Sequence, residues 1–522
     1  MAKPFFVTTA IDYTNAAPHI GHAYEKILAD VIARYRRLKG EEVFFLTGVD
    51  QHGQKVQQTA QKEGMEPAQF AGEVTKKFVA LWEKLGIRYD GWAATTDPRH
   101  KEVVRRILQR LYDAGEIYKA KHSGFYSVRQ EQFLTDKERG PDGEFGPEWG
   151  EVTEITEENY YFRLAKHRDW LLSFIDAHPG FVTPAFRQVE LRNAVEKLSG
   201  DLCISRPKAR LAWGIELPFD ADYVTYVWFD ALINYISFAG YFSEDAGEAA
   251  AFERRWPALH VIGKDILVPA HGVYWPAMLH ALGFSDDALP ELLVHGYVNI
   301  SGAKMSKSLG NIVDPGALAD RYGAEALRYY LMRETATGQD MEFAEERLIL
   351  RYNTDLANDL GNLLNRTLNM AGRYREGTLR RSGADTEFLA AIRETARIYG
   401  ERLDALNIQG ALEAAWGLAG KCNAAIESEA PWKLAKDPAQ AERLDTVLYH
   451  LAEALRVLSL LISPVLPNAA SAMREQLGIS GEPQLADAFA EGGGLPDGHR
   501  LGSPTPLFPR LETADAAGKE RK

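Results

Sequence analysis

Cysteine is almost missing: 522 residues hold only Cys203 and Cys422. Two thiols build neither a disulfide framework nor a four-thiolate zinc site, and their scarcity points to a reducing compartment. No run approaches the roughly 18 apolar residues of a membrane span. The opening MAKPFFVTTAIDYTN has neither the apolar centre nor the cleavage site of a secretory signal. These absences predict a cytoplasmic protein that avoids membranes. Positive charge is also in deficit, with 60 Lys and Arg against 73 Asp and Glu for a net charge of −13. That excludes a non-specific nucleic-acid coat, although a specific RNA partner needs only a local basic face. Repeats and low-complexity tracts are absent too. What is present is 46% hydrophobic and 11% aromatic, an ordinary globular composition. At roughly 150 residues per domain, the length predicts three or four domains.

The first 50 residues read as strand, loop, helix and strand. Residues 5–11 suit a buried parallel strand, residues 12–18 a loop, and a helical pattern follows to about Arg37, with Pro18 suited to its first turn. Residues 43–47 read as a second buried strand that Gly48 would stop. A βαβ opening predicts an α/β fold, a Rossmann-type doubly wound parallel sheet. On this reading 1–116 form the first half of that domain and 117–220 an inserted connective module, turn-dense at 140–147. Residues 221–300 form the second half, where 226–229, 259–263 and 292–296 look like strand ends meeting loops. A lysine-bearing loop and linking segment occupy 301–350. An all-α bundle occupies 351–495, with amphipathic runs at 411–428 and 445–461, and a loop-rich tail covers 496–522.

Two motifs carry chemistry. Pro18-His19-Ile20-Gly21-His22 lies where the first strand hands over to the first helix. The free N–H groups of a helix start attract anions, and two imidazoles three residues apart share a helical face. Lys304-Met305-Ser306-Lys307-Ser308 lies in a loop with glycines at both ends, where two ammonium groups can follow charge developing on a leaving pyrophosphate. Alone, the first is ordinarily a histidine-rich cap and the second a solvated loop. Together, in this order and about 280 residues apart in one α/β chain, they weigh far more.

HIGH followed by KMSKS resembles the class I aminoacyl-tRNA synthetases, which use ATP and Mg²⁺ to activate an amino acid and then load it onto tRNA. The insertion of about 100 residues is too small for the editing domain of the isoleucine, valine and leucine enzymes. The finer motifs resemble the methionyl-tRNA synthetase family along essentially the whole chain. That resemblance assigns phosphate contacts to His19 and His22 and pyrophosphate contacts to Lys304 and Lys307. It adds Gly21 and Gly263-Lys264-Asp265 to the ATP site. Ile11, Tyr13, Asp50, Trp228, Ala231, Leu232, Tyr235 and His271 would form the methionine site, with Asp50 on the α-ammonium. The spacing between the Gly263 and His271 blocks is one residue longer than the commonest pattern. Asn362, Arg366 and Trp432 would read a CAU anticodon, by polar contacts and stacking.

One departure concerns metal. Relatives carry Cys-x-x-Cys knuckles in the insertion, whereas this chain has Tyr126-Ser127-Val128-Arg129-Gln130 and Phe145-Gly146-Pro147-Glu148-Trp149. No zinc is expected, and the module must hold itself together by packing. The cysteinyl enzymes, similar in size and motifs, select their substrate with a zinc thiolate site that two distant cysteines supply poorly. A catalytically dead, tRNA-binding relative is disfavoured by two intact motifs. No extra RNA-binding, dimerising domain is seen, so the expectation is a monomer.

Overall fold

The computed structural model describes residues 3–127, 132–134, 139–140, 142–300, 303–304, 313–381 and 386–511. A seven-stranded sheet organises the first 300 residues. Phe5–Thr9 lies at its centre, paired with Val43–Asp50 on one side and Leu259–Gly263 on the other. Glu291–His295 and then Val182–Thr183 extend the second side. Gly91–Ala94 and the short Asp12–Tyr13 both pair with Val43–Asp50. All of these pairings are parallel, as the sequence leads one to expect. Val7, Phe45, Val261 and Leu293 are fully buried in the sheet. Because the chain leaves Phe5–Thr9 on one flank and later returns on the other, the strand order reverses there. A crevice therefore opens at the carboxyl ends of the central strands.

Three local readings change. The strand Val43–Asp50 runs through Gly48 instead of stopping at it. A Cβ at Gly48 would lie 2.0 Å from the Ala93 carbonyl oxygen, so the glycine serves close strand approach and lets the strand deliver Asp50 to the crevice. The first helix is Ile20–Leu38, with His19 as its N-cap, so Pro18 stands just outside its first turn. Residues 227–232 are a helix, Val227–Leu232, not a strand end. The strand there is Asp220–Thr225, which ends just before it.

Within the segment read as an insertion, Val182–Thr183 joins the seven-stranded sheet, while a separate antiparallel sheet has the order Gln132–Leu134, Ile117–Ser127, Val152–Phe162, Leu202–Cys203. At its outer end the Arg139 guanidinium lies 4.6 Å from the Phe125 ring and 4.3 Å from the Phe145 ring. Stacking of this kind ties the Arg139–Phe145 bridge to the strand that carries Phe125.

Beyond residue 350 the described chain is helical. Ala441–Ile462 is buried at every residue from Leu444 to Ile462 and forms the axis of the bundle. Ile408–Glu429 packs against it, and Thr386–Asp404 against both. The tail turns back on the bundle's entry: Leu511 and Asn353 exchange two hydrogen bonds of 2.9 and 3.0 Å.

One guanidinium joins the two halves. Arg328, 1% exposed, lies 2.6 Å from Asp30 on the first helix. It also donates to the Leu85, Pro464 and Val465 carbonyls. Arg34 and the Arg88 N–H remain on Asp30 if Arg328 is lost, but the three carbonyls do not keep a donor. Arg328→Met is therefore expected to cost about 3 kcal/mol, the low end for breaking a buried pair, in urea unfolding followed by tryptophan fluorescence. A loss below about 1 kcal/mol would mean that the two halves do not depend on this junction.

Candidate active site

The first helix begins with an unusual cap. His19 has extended backbone (φ −133°), and its Nδ1 accepts the Gly21 N–H at 3.1 Å, while His22 Nδ1 accepts the His19 N–H at 3.1 Å. This reciprocal arrangement is the capping box that Ser or Thr and Glu ordinarily make. The two rings lie 3.8 Å apart at 32°. With Nδ1 occupied as an acceptor, the proton of each neutral ring sits on Nε2. Burial, reinforced by His19 and Lys26, lowers the His22 pKa well below the ordinary histidine value. His22 is thus a neutral N–H donor at pH 7.

Two cavities meet at this point. The first, about 300 Å³, is lined by Ile11, Tyr13, His19, Gly21, His22, Gly263 and Asp265 among others. The second, about 370 Å³, is lined by Ile11, Tyr13, Asp50, Trp228, Ala231, Leu232, Tyr235 and His271 among others. Ile11, Tyr13, His22 and Asp265 belong to both walls. All eight residues of the expected methionine site therefore surround one cavity. Lys264 lines neither: its Nζ lies 2.7 Å from Asp340 and 4.2 Å from the centre of the Tyr297 ring. Of the lysine loop, Lys304 is described only in its backbone, within the two-residue strand Ala303–Lys304, and Lys307 lies outside the described residues.

In the second cavity Asp50 is the acidic end. The Thr95 hydroxyl and the His52 N–H donate to its Oδ1 at 3.2 and 3.3 Å. At the other end the Tyr235 hydroxyl lies 2.7 Å from His271 Nε2, and His271 Nδ1 lies 3.0 Å from the Ile266 carbonyl. A carbonyl only accepts, so Nδ1 carries the ring proton and Nε2 takes the tyrosine's. Burial pushes the His271 pKa down to about 4 and that of Tyr235 well above the usual tyrosine range. Both are neutral at pH 7. Trp228 stands edge-on to His271 at 6.2 Å. Leu267–Tyr274 carries His271 on a π-helical segment kinked at Val268, and the imidazole meets Tyr235 there.

Sequence reasoning missed the supports behind these groups. Asp230, 1% exposed, lies between His52 Nδ1 at 2.7 Å and His100 Nε2 at 2.8 Å, and His100 Nδ1 reaches the Ser237 hydroxyl at 2.8 Å. This chain ties the Asp50 strand end to the helix bearing Trp228, Ala231 and Leu232. An aspartate inside the apolar run 227–232 was the available signal. Also missed were Glu25, Lys26 and His295, a buried cluster under the first cavity.

In the bundle, Asn362 is exposed, Arg366 lies 2.7 Å from Glu427, and Trp432 is 36% exposed on the short helix Pro431–Leu434.

The chain with this parallel sheet, histidine-capped helix and appended helical bundle is matched by family models of class I tRNA synthetases. A family model described as "tRNA synthetases class I (M)" matches residues 5–142 and 149–368, and "Anticodon binding domain of methionyl tRNA ligase" matches 377–522. The methionine–tRNA ligase of Deinococcus radiodurans is 44% identical over 520 residues, covering 98% of this chain and 75% of that protein. That of Caldanaerobacter subterraneus subsp. tengcongensis is 42% identical, covering 100% and 81%. The Mycobacterium tuberculosis methionyl-tRNA synthetase in complex with methionyl-adenylate superposes with a TM-score of 0.91 at 41% identity, covering 97% of this chain and 100% of that one. The chain belongs to the methionyl-tRNA synthetase family.

The buried imidazole generates a pH dependence. His271 takes a proton near pH 4 in the fold but near 6.5 in the unfolded chain, so between those values the unfolded state binds more protons. Stability therefore falls as pH drops from 6.5 towards 4. His271→Gln should flatten that slope in thermal melts taken from pH 7 to 4.5. An unaltered slope would mean that His271 is not held neutral.

Proposed function

We propose that this chain condenses methionine with ATP where the two cavities share a wall, and then transfers the methionyl group to the 3′ end of methionine tRNA. The observation that carries this reading is the shared wall itself: a ligand in each cavity would meet beside His22. Methionine occupies the second cavity, its α-ammonium on Asp50 and its thioether among Trp228, Tyr235 and His271. A polarisable, unbranched side chain suits such aromatic edges. ATP occupies the first, with its phosphates at the capped helix start and its nucleoside towards Gly263 and Asp265.

One carboxylate oxygen of methionine attacks the α-phosphorus, the bond from that phosphorus to the bridging oxygen breaks, and pyrophosphate leaves. Positioning and charge stabilisation dominate such a step. The Nε2–H groups of His19 and His22 face the charge developing on the phosphates, and Lys304 and Lys307 follow the pyrophosphate. Mg²⁺ would be held chiefly by the ATP phosphates and would offset part of their charge. The ribose hydroxyl at the tRNA 3′ end then attacks the methionyl carbonyl carbon and displaces AMP.

Asn362, Arg366 and Trp432 recognise the CAU anticodon, far along the chain from this chemistry. We further propose a cytoplasmic monomer that needs no zinc. Both cysteines are free, no helix among the described residues is long and apolar enough to cross a membrane, and exposed large apolar side chains are few.

Trp432→Ala should lower kcat/KM for aminoacylation about ten- to a hundredfold, the worth of one stacked base. Methionine-dependent pyrophosphate exchange, which needs no tRNA, should barely change. Altering the CAU anticodon should harm the unmodified enzyme severely and the variant much less. Equal damage to exchange and aminoacylation would make Trp432 structural and remove the anticodon assignment.

A further inference from the structure

The cluster beneath the first cavity leaves one atom unaccounted for. Lys26 is 0% exposed, and its ammonium group has three protons. They go to the Ala10 carbonyl at 2.9 Å, Asp12 Oδ1 at 2.7 Å and Glu25 Oε1 at 2.9 Å. Glu25 Oε2 meets His295 Nε2 at 3.1 Å, and His295 Nδ1 meets the Gly296 carbonyl at 2.8 Å. Every polar atom in this account has a partner except Asp12 Oδ2, which is buried without one among the described residues. Asp12 itself is only 4% exposed, and it lines the first cavity but not the second.

A buried carboxylate oxygen without a donor is costly, and such atoms in folded proteins call for an explanation. Lys26 cannot supply the donor, because its three protons are already placed. Rotating the carboxylate would only exchange one orphaned oxygen for the other. A molecule that enters the cavity can bring the donor. Phosphate oxygens are acceptors with negative charge and would be repelled. The donors that ATP offers are its ribose hydroxyls and the adenine amino group.

Building on the assignment of this cavity to ATP, we infer that Asp12 is a nucleotide-binding residue whose Oδ2 accepts a hydrogen bond from a hydroxyl or amino donor of the nucleoside. Lys26 is the positioning residue: it holds the carboxylate by Oδ1 and the adjoining loop by the Ala10 carbonyl. In the free protein, burial raises the Asp12 pKa to about 7, despite Lys26. A donor arriving with the nucleotide favours the carboxylate.

The test is pyrophosphate exchange by the full chain with ATP, 2′-deoxy-ATP, 3′-deoxy-ATP and purine riboside triphosphate, for the unmodified enzyme and Asp12→Asn. The side-chain amide keeps the shape but can place a donor where the free oxygen stood. Asp12→Asn should raise the KM for ATP by about ten- to a hundredfold, the worth of a hydrogen bond to a charged group, and leave that for methionine unchanged. The unmodified enzyme should discriminate against the one analogue that lacks the donor, which identifies it, and Asp12→Asn should lose that discrimination. Asp12→Glu, which keeps the charge but shifts the oxygen, should lose it too and covers the case in which the asparagine variant does not fold. Equal KM values for all four nucleotides with the unmodified enzyme would overturn the inference without any variant. If Asp12→Asn spares ATP while His19→Asn still slows exchange, the Asp12 inference falls and the cavity assignment stands. If it raises the KM for methionine and spares ATP, both fall.

Discussion

Where the central strand gives way to the first helix, backbone N–H groups point into the crevice and need partners. His19 and His22 supply them through Nδ1, the His19 ring taking the Gly21 N–H and the His22 ring the His19 N–H. A serine and glutamate would cap the helix equally well, but would put acceptors or negative charge beside the phosphates. Imidazoles reverse that outcome: satisfying the cap through Nδ1 obliges each neutral ring to present Nε2–H. The same two side chains close the helix start and line the first cavity. Both cavities share His22 as a wall, so they inherit their relative placement from this cap.

Around that point the protein manages charge by contrast. The second cavity carries Asp50, Lys55 and Asp265 in its wall, while at its other end the imidazole is held uncharged by burial and the tyrosine proton is directed at that imidazole. Beneath the first cavity lies an ionic cluster, with Lys26 placed between two carboxylates. The Lys26 ion pairs hold the loop from Ala10 to Tyr13, whose residues Ile11 and Tyr13 line both cavities. Fixed dipoles and buried ion pairs around a reaction centre need little reorganisation when charge moves.

Patterns with a short physical period were readable in the sequence. The central strands, the first helix and the bundle's long helices follow from apolar spacing, and Asp50 follows from its place at a strand end. The methionine-site residues came instead from family resemblance, and they do gather around one cavity. Gly48 misled because a glycine demanded by a neighbouring strand looks, along the chain, like one that ends a strand. Residues 226–229 misled because an apolar run that short does not separate helix from strand. Asp230 with His52 and His100, and Asp12 with Lys26, were hidden for another reason. Their partners lie far off in sequence or on a different element, and nothing in local composition says which buried charges will meet.

The central claim is that the two adjoining cavities form one adenylation site selective for methionine. The most direct measurement is ATP–pyrophosphate exchange by the purified chain with each of the twenty amino acids in turn, without tRNA. Exchange supported by methionine, with the other nineteen at least about a hundredfold weaker in kcat/KM, is the predicted result. Preference for another amino acid, or no exchange with any, would contradict the account.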